Sequence, residues 1–182
     1  IGPSGCGKTT LMKVMLGLLK AENGQILVDG VDITKMGNNN YRNQIAAVMQ
    51  NDQLLSGSIA DNICFFDPEF DQNKIEACAK TAAIHPDIMA MPMGYNSLIG
   101  DMGNTLSGGQ KQRLILARAL YKKPKILFLD EATSHLDTDL ESHVNQSIKY
   151  LNMTRIIIAH RQETINSADR ILAMEKGNLI EC

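Results

Sequence analysis

Gly2-Pro3-Ser4-Gly5-Cys6-Gly7-Lys8-Thr9-Thr10 decides how this chain is read. The stretch fits G-x-x-x-x-G-K-[ST], with Gly2, Gly7, Lys8 and Thr9 at the fixed places. Glycines let such a backbone curl until successive N–H groups face one anion. A helix starting at Lys8 adds the positive end of its dipole. Lys8 can reach outer phosphates, and the Thr9 hydroxyl can ligate Mg²⁺. The plainer reading is a Gly-rich turn before an ordinary helix, but at average glycine usage the full pattern is rare in chains of this length.

Working outward, residues 8–19 read as a helix that is apolar nearly all round, predicting burial on most sides. Ile26 to Ile33 reads as a hairpin around Asp29-Gly30. Asn38-Asn39-Asn40 reads as a polar loop. Ile45 to Met49 is a short buried strand with Gln50 at its end. Ser58 and Asp71 are placed to cap helices, the second carrying Ile75, Cys78, Ala79 and Ala82 on one face. Residues 94–103 read as loop. Ser107 opens a helix that runs to about Lys123, where Pro124 stops it. Ile126-Leu127-Phe128-Leu129 is the uninterrupted apolar run of a parallel strand covered on both faces. Asp137 to Leu151 reads as an amphipathic helix, Arg155 to Ala159 as another buried strand, and Ile171 to Ile180 as a final strand and turn. Alternating strands and helices imply an α/β fold with a mostly parallel sheet, and residues 51–123 read as a helical insertion into it.

The whole-chain properties exclude several classes. A net charge of -2 on 182 residues gives no electrostatic footprint for nucleic acid. The four cysteines are scattered with no C-x-x-C pair, which argues against a metal knuckle or disulfide framework. No apolar run approaches the ~20 residues of a membrane span. Ile1 stands directly before the phosphate loop, and the chain stops at Leu179-Ile180-Glu181-Cys182, inside strand-like sequence. Both ends predict a fragment of a longer polypeptide.

In an open α/β sheet, ligands gather at the carboxyl ends of the strands. Four polar groups fall there: the phosphate loop after Ile1, Gln50 after Met49, Asp130-Glu131 after Leu129, and His160 after Ala159. Asp130 is suited to hold Mg²⁺ with Thr9, and Gln50 is a third candidate ligand. Glu131, pointing elsewhere, is suited to be the general base or to position water at the γ-phosphate. His160 can hydrogen-bond the γ-phosphate and hold the geometry around Glu131. The bland counterparts are a capping acidic pair, a surface glutamine and a structural histidine. Leu106-Ser107-Gly108-Gly109-Gln110 forms a second anion-binding helix start, whose bland reading is an N-cap beside a flexible turn. One molecule does not need two such ends for one ATP. Two copies facing head to tail would use both, each ATP lying between one loop and the partner's serine.

With these residues in place, the chain resembles the ATP-binding cassette superfamily over essentially its whole length. The resemblance rests on Gly2–Thr10 (Walker A), Gln50 (Q-loop), Leu106–Gln110 (signature), Ile126–Glu131 (Walker B and catalytic Glu), Ser134-His135-Leu136-Asp137 (D-loop) and His160 (switch histidine). It implies a P-loop, RecA-like core from residues 1–50 and 124–182, with residues 51–123 as the helical signature subdomain. It also implies an ATP- and Mg²⁺-dependent ATPase that forms a head-to-tail homodimer and drives a membrane transporter. Val48 to Ile59, Met91 to Tyr95 and Ala132 to Asp137 are further similar to bacterial bacteriocin exporters of the colicin V type, which carry a fused peptidase. That implies peptide or small-protein export, a transmembrane domain as partner, a place at the cytoplasmic face of the inner membrane, and no nucleic acid. Gly100-Asp101-Met102-Gly103 resembles the exporter loop that meets the membrane domain but lacks its usual Glu-Arg character. His135 stands where many members carry Ala. The family's adenine-stacking aromatic precedes Walker A and lies outside these residues. The alternatives are a cassette ATPase acting on DNA or ribosomes, which would be expected to carry coiled-coil arms or basic linkers, and an inactive gene fragment, against which the intact motifs argue.

Overall fold

The computed structural model describes residues 1–100, 106–133, 136–175 and 177–182. In chain order the elements are α1 (Lys8–Met15), β1 (Leu27–Val28), β2 (Val31–Asp32), α2 (Ile33–Met36), α3 (Asn38–Arg42), β3 (Ile45–Val48), β4 (Gly57–Ser58), α4 (Ile59–Cys64), α5 (Gln72–Thr81) and α6 (His85–Met89). A 3₁₀ turn (Gly94–Asn96), β5 (Leu98–Ile99), α7 (Gly108–Tyr121), β6 (Ile126–Asp130), α8 (Thr138–Lys149), β7 (Thr154–Ile158), α9 (Gln162–Asn166), β8 (Leu172–Glu175) and β9 (Asn178–Glu181) follow.

A parallel sheet in the order β3-β6-β7 organises the rest. Its register pairs Val48 with Leu129 and Leu129 with Ile157. Side chains alternate across such a sheet, and the two faces bury different partners. Ile45, Phe128 and Ile158 pack with Met12 and Leu16 of the α1 segment. Ala46, Val48, Leu127 and Leu129 pack on the other side among residues of α4, α5, α7 and α8. Phe128 is 1% exposed; burying a side chain of this kind stabilises the fold by about 1.5–3 kcal/mol.

The helix starts are as the sequence reads. Ser58 and Ser107 both form capping boxes, and Asp71 and Asp137 accept from first-turn amides. Three local expectations differ. First, α1 ends at Met15, because Gly17 adopts a left-handed φ of 67°. Leu18 and Leu19 fall beyond the helix and are 59% and 45% exposed, so the apolar run is not buried all round. Second, Asn38-Asn39-Asn40 is the first part of α3 rather than a loop. Tyr41 on that helix is buried and donates its hydroxyl to the Met15 carbonyl at 2.7 Å, a tertiary anchor that outweighs local turn preference. Third, residues 94–99 carry a 3₁₀ turn and the short strand β5, which pairs with β4. Asp101, Met102 and Gly103 of the exporter-like loop, together with Ser134 and His135, lie outside the described residues.

Candidate active site

The phosphate loop sits at the N-terminus of α1 and is braced from the side by β8. Ile1 donates its amine to the Leu172 carbonyl at 2.7 Å and accepts from the Met174 amide at 2.8 Å. Gly2 (φ 142°) passes so close to β8 that a Cβ would lie 2.5 Å from the Met174 carbonyl oxygen. Gly7 (φ 105°) is the N-cap of α1, and its Cβ would meet the Met174 side chain at 3.2 Å. Met174 was not singled out by the sequence; nothing local to it marks a contact with residues 2 and 7. Gly2→Ala should therefore unseat the loop. The expected result is a loss of at least about 1 kcal/mol of stability, since Ala at positive φ is strained. Nucleotide affinity should fall about tenfold or more, equivalent to about 1.4 kcal/mol. A thermal melt and a fluorescent-nucleotide titration check both.

Lys8 folds over the loop and donates to the carbonyls of Gly2 (2.7 Å) and Pro3 (2.8 Å). Its Nζ also lies 3.8 Å from the Cys6 sulfur. The Thr9 hydroxyl donates to Asp130 Oδ2 at 2.9 Å, so the end of β6 and the start of α1 meet. Asp130 is 1% exposed. Two hard oxygen donors side by side at the mouth of a phosphate loop fit Mg²⁺, which keeps water and substrate oxygens for its remaining positions.

Glu131 adopts a left-handed φ of 53°, uncommon for a residue with a Cβ, and its amide donates to the Ile158 carbonyl at 3.2 Å. Its carboxylate collects the other two candidates. Gln50 Nε2 donates to Oε2 at 3.3 Å, and His160 Nε2 lies 3.1 Å from Oε1. Thus β3, β6 and β7 each deliver one of these three groups from their carboxyl ends. Gln50 touches Glu131 rather than the Thr9–Asp130 pair with which it shares a proposed Mg²⁺ role. Gln112 of α7 donates to the Glu131 carbonyl at 3.4 Å, a contact with the signature helix that the sequence reading missed.

The 106–110 stretch stands apart. Ser107 donates its amide to Gln110 Oε1 at 3.0 Å, and its hydroxyl accepts from the Gln110 amide at 3.2 Å. Among the described residues no hydrogen bond joins this stretch to the phosphate loop. It is fixed instead from α6: Asp87 accepts from Gln110 Nε2 and from Arg113 Nη1, each at 2.8 Å. Arg113 is 7% exposed and also donates to the Gly109 and Ala83 carbonyls. Burial works to raise the Asp87 carboxyl, but these hydrogen bonds and the Arg113 charge outweigh it and hold it below the ordinary aspartate value. Asp87 and Arg113 were also missed; a lone charge on a short helix gives no sign of pairing across 26 residues.

Comparison with known proteins adds the decisive match. The family model for ABC transporters covers residues 1–134. The chain belongs to the ABC transporter family. The sheet and helices of this ABC cassette superpose on a bacterial Atm1-family ABC exporter with ATP bound, at a TM-score of 0.91 and 38% identity, over 98% of this chain and 32% of that one. It is 57% identical to the probable microcin-H47 secretion/processing ATP-binding protein MchF of Escherichia coli over 95% of the chain and 25% of the relative. Identity to the colicin V secretion/processing ATP-binding protein CvaB of Escherichia coli is 55%, again over 95% of the chain and 25% of the relative. The toxin RTX-III translocation ATP-binding protein of Actinobacillus pleuropneumoniae is 44% identical over the whole chain and 26% of its own length. The cassette thus spans about a quarter of the length of these curated relatives. No described helix is long and apolar enough to cross a membrane.

Proposed function

We propose that the cassette hydrolyses Mg-ATP between two head-to-tail copies and that this work drives export of a peptide or small protein, such as a bacteriocin, across the bacterial inner membrane. The observation that carries the ATPase step is Glu131, held by Gln50 and His160 beside the Thr9–Asp130 pair. The cargo class rests on the secretion relatives, which also favour an exporter over a cassette acting on DNA or ribosomes.

In this reading residues 1–50 and 124–182 are the nucleotide-binding core, and residues 51–123 are the signature subdomain. Lys8 exchanges its loop carbonyls for the outer phosphates, while the loop amides of Gly2–Thr10 and the α1 dipole hold the rest. Thr9 and Asp130, with Gln50 drawn in, would hold Mg²⁺, which offsets phosphate charge when bound. Glu131 takes a proton from the water whose oxygen attacks the γ-phosphorus, and the bond to the bridging oxygen breaks to release ADP. His160 keeps Glu131 aimed. The signature residues Leu106, Ser107, Gly108, Gly109 and Gln110 cap the ATP gripped by the other copy, with Ser134, Leu136 and Asp137 at the dimer seam. A transmembrane domain holds the cassette at the cytoplasmic face.

The test is ATP-dependent secretion of a co-expressed bacteriocin peptide by cells carrying the complete exporter. Lys8→Ala should abolish both peptide release into the medium and Mg-ATP hydrolysis by the purified protein. Hydrolysis lost with secretion retained would refute the coupling.

A further inference from the structure

Behind Glu131 and His160 lies a polar cluster to which the ATPase reading gives no role. Glu141, in the first turn of α8, is 2% exposed although it carries a carboxyl group. Thr133 donates to its Oε1 at 2.8 Å, and Thr164 of α9 donates to the same oxygen. Arg161 Nη1 donates to Oε2 and, at 2.7 Å, to the Leu136 carbonyl. Thr133 and Thr164 are themselves buried. Three members of this cluster belong to segments that matter. Thr133 lies two residues after Glu131, Arg161 directly follows His160, and Leu136 belongs to the D-loop. Glu131, His160, Thr133, Glu141 and Thr164 all line one cavity of about 120 Å³.

A buried carboxylate is stable only with its donors in place, and removing it strands them. The left-handed backbone at Glu131 likewise persists only where its surroundings hold it. We propose that Glu141 is a positioning residue for hydrolysis: by gathering Thr133, Thr164 and Arg161 it locks the loop after β6 to the loop after β7, and so keeps His160 within reach of Glu131. It touches neither nucleotide nor reacting water. The inference rests on the ATPase reading given above.

The test is a double-mutant cycle in the longest natural polypeptide that carries this sequence, with Mg-ATP turnover as readout. Glu141→Gln should lower kcat about tenfold while KM for ATP stays within twofold, because among the described residues no hydrogen bond of Glu141 reaches the phosphate loop or the Thr9–Asp130 pair. In a His160→Ala background, Glu141→Gln should cost nothing further, since the contact it supports is gone. Thr133→Val, which removes one donor and keeps the volume, should lower kcat in the same manner, and Thr133→Ser should restore it; this pair carries the test if Glu141→Gln does not fold. A kcat unchanged in Glu141→Gln, a loss appearing in KM instead, or losses that multiply in the double variant would overturn the proposal and leave the ATPase reading standing. Absence of Mg-ATP hydrolysis in the unmodified protein would overturn both.

Discussion

Glu131→Gln is expected to lower ATP turnover by a factor of about 10²–10⁴, the range that a positioned general base contributes. The substitution keeps volume and keeps an oxygen for one of the two contacts that Gln50 and His160 make. It removes the group that takes the proton. Glu131 makes no hydrogen bond to the phosphate loop among the described residues, and Lys8, Thr9 and Asp130 are bonded among themselves and to the loop. Nucleotide affinity should therefore stay within about threefold of the unmodified protein, while cleavage stops. If the signature serine of one copy seals the site of the other, blocked cleavage should also accumulate an ATP-bound dimer, visible by light scattering after gel filtration. Turnover within tenfold of the original would remove Glu131 from the chemistry. A variant that hydrolyses nothing yet stays monomeric in Mg-ATP would remove the head-to-tail dimer and keep the base.

Asn62→Leu is expected to be among the most destabilising single changes outside the apolar core. Asn62 is fully buried, and its amide does the work of a short strand. Its Oδ1 accepts from the Leu55 amide at 2.9 Å and from Arg118 Nη2 at 2.6 Å, while its Nδ2 donates to the Leu55 and Ser58 carbonyls, each at 2.9 Å. Arg118 also donates to the Asn62 and Gln53 carbonyls at 2.8 and 3.0 Å. Leucine fits the space and satisfies none of these groups. Each stranded buried group costs about 1–3 kcal/mol, and with partial relaxation a total of about 3–5 kcal/mol is expected. For a chain of this size that is a fall of about 6–20 °C in melting temperature. Residues 53–58 are the segment that follows Gln50, so the surviving folded fraction should also show a reduced turnover. A melt within about 2 °C of the original would show that water replaces the amide at little cost.

The frame of this structure was legible for a plain reason: strands of a parallel sheet read as apolar runs, and Ile126 to Leu129 and Ile156 to Ala159 have that character. Knowing where those strands end places Asp130, Glu131 and His160 without further information. Caps were equally legible, because a serine or aspartate before an apolar period has few other uses, as at Ser58, Asp71, Ser107 and Asp137. What escaped depends on distance along the chain. Asn38-Asn39-Asn40 has the local chemistry of a turn, yet it forms a helix that the Tyr41 bond to Met15 anchors from a distant segment. Glu141 sits in an acidic first turn of an amphipathic helix, where a solvated carboxylate is the ordinary expectation; its burial is created by Thr133, Thr164 and Arg161 from two other segments. Met174 and Gln112 carry no pattern at all, and their value comes from what they happen to lie against.

The Lys8 ammonium is already well satisfied, held by two carbonyls of its own loop. An incoming anion has to outbid those oxygens before the cradle opens to it. A singly charged ion regains little for prising the ammonium loose, whereas a triphosphate brings enough negative charge to win the exchange. On the proposed reading, the loop would favour ligands of high charge density before any sugar or base is recognised.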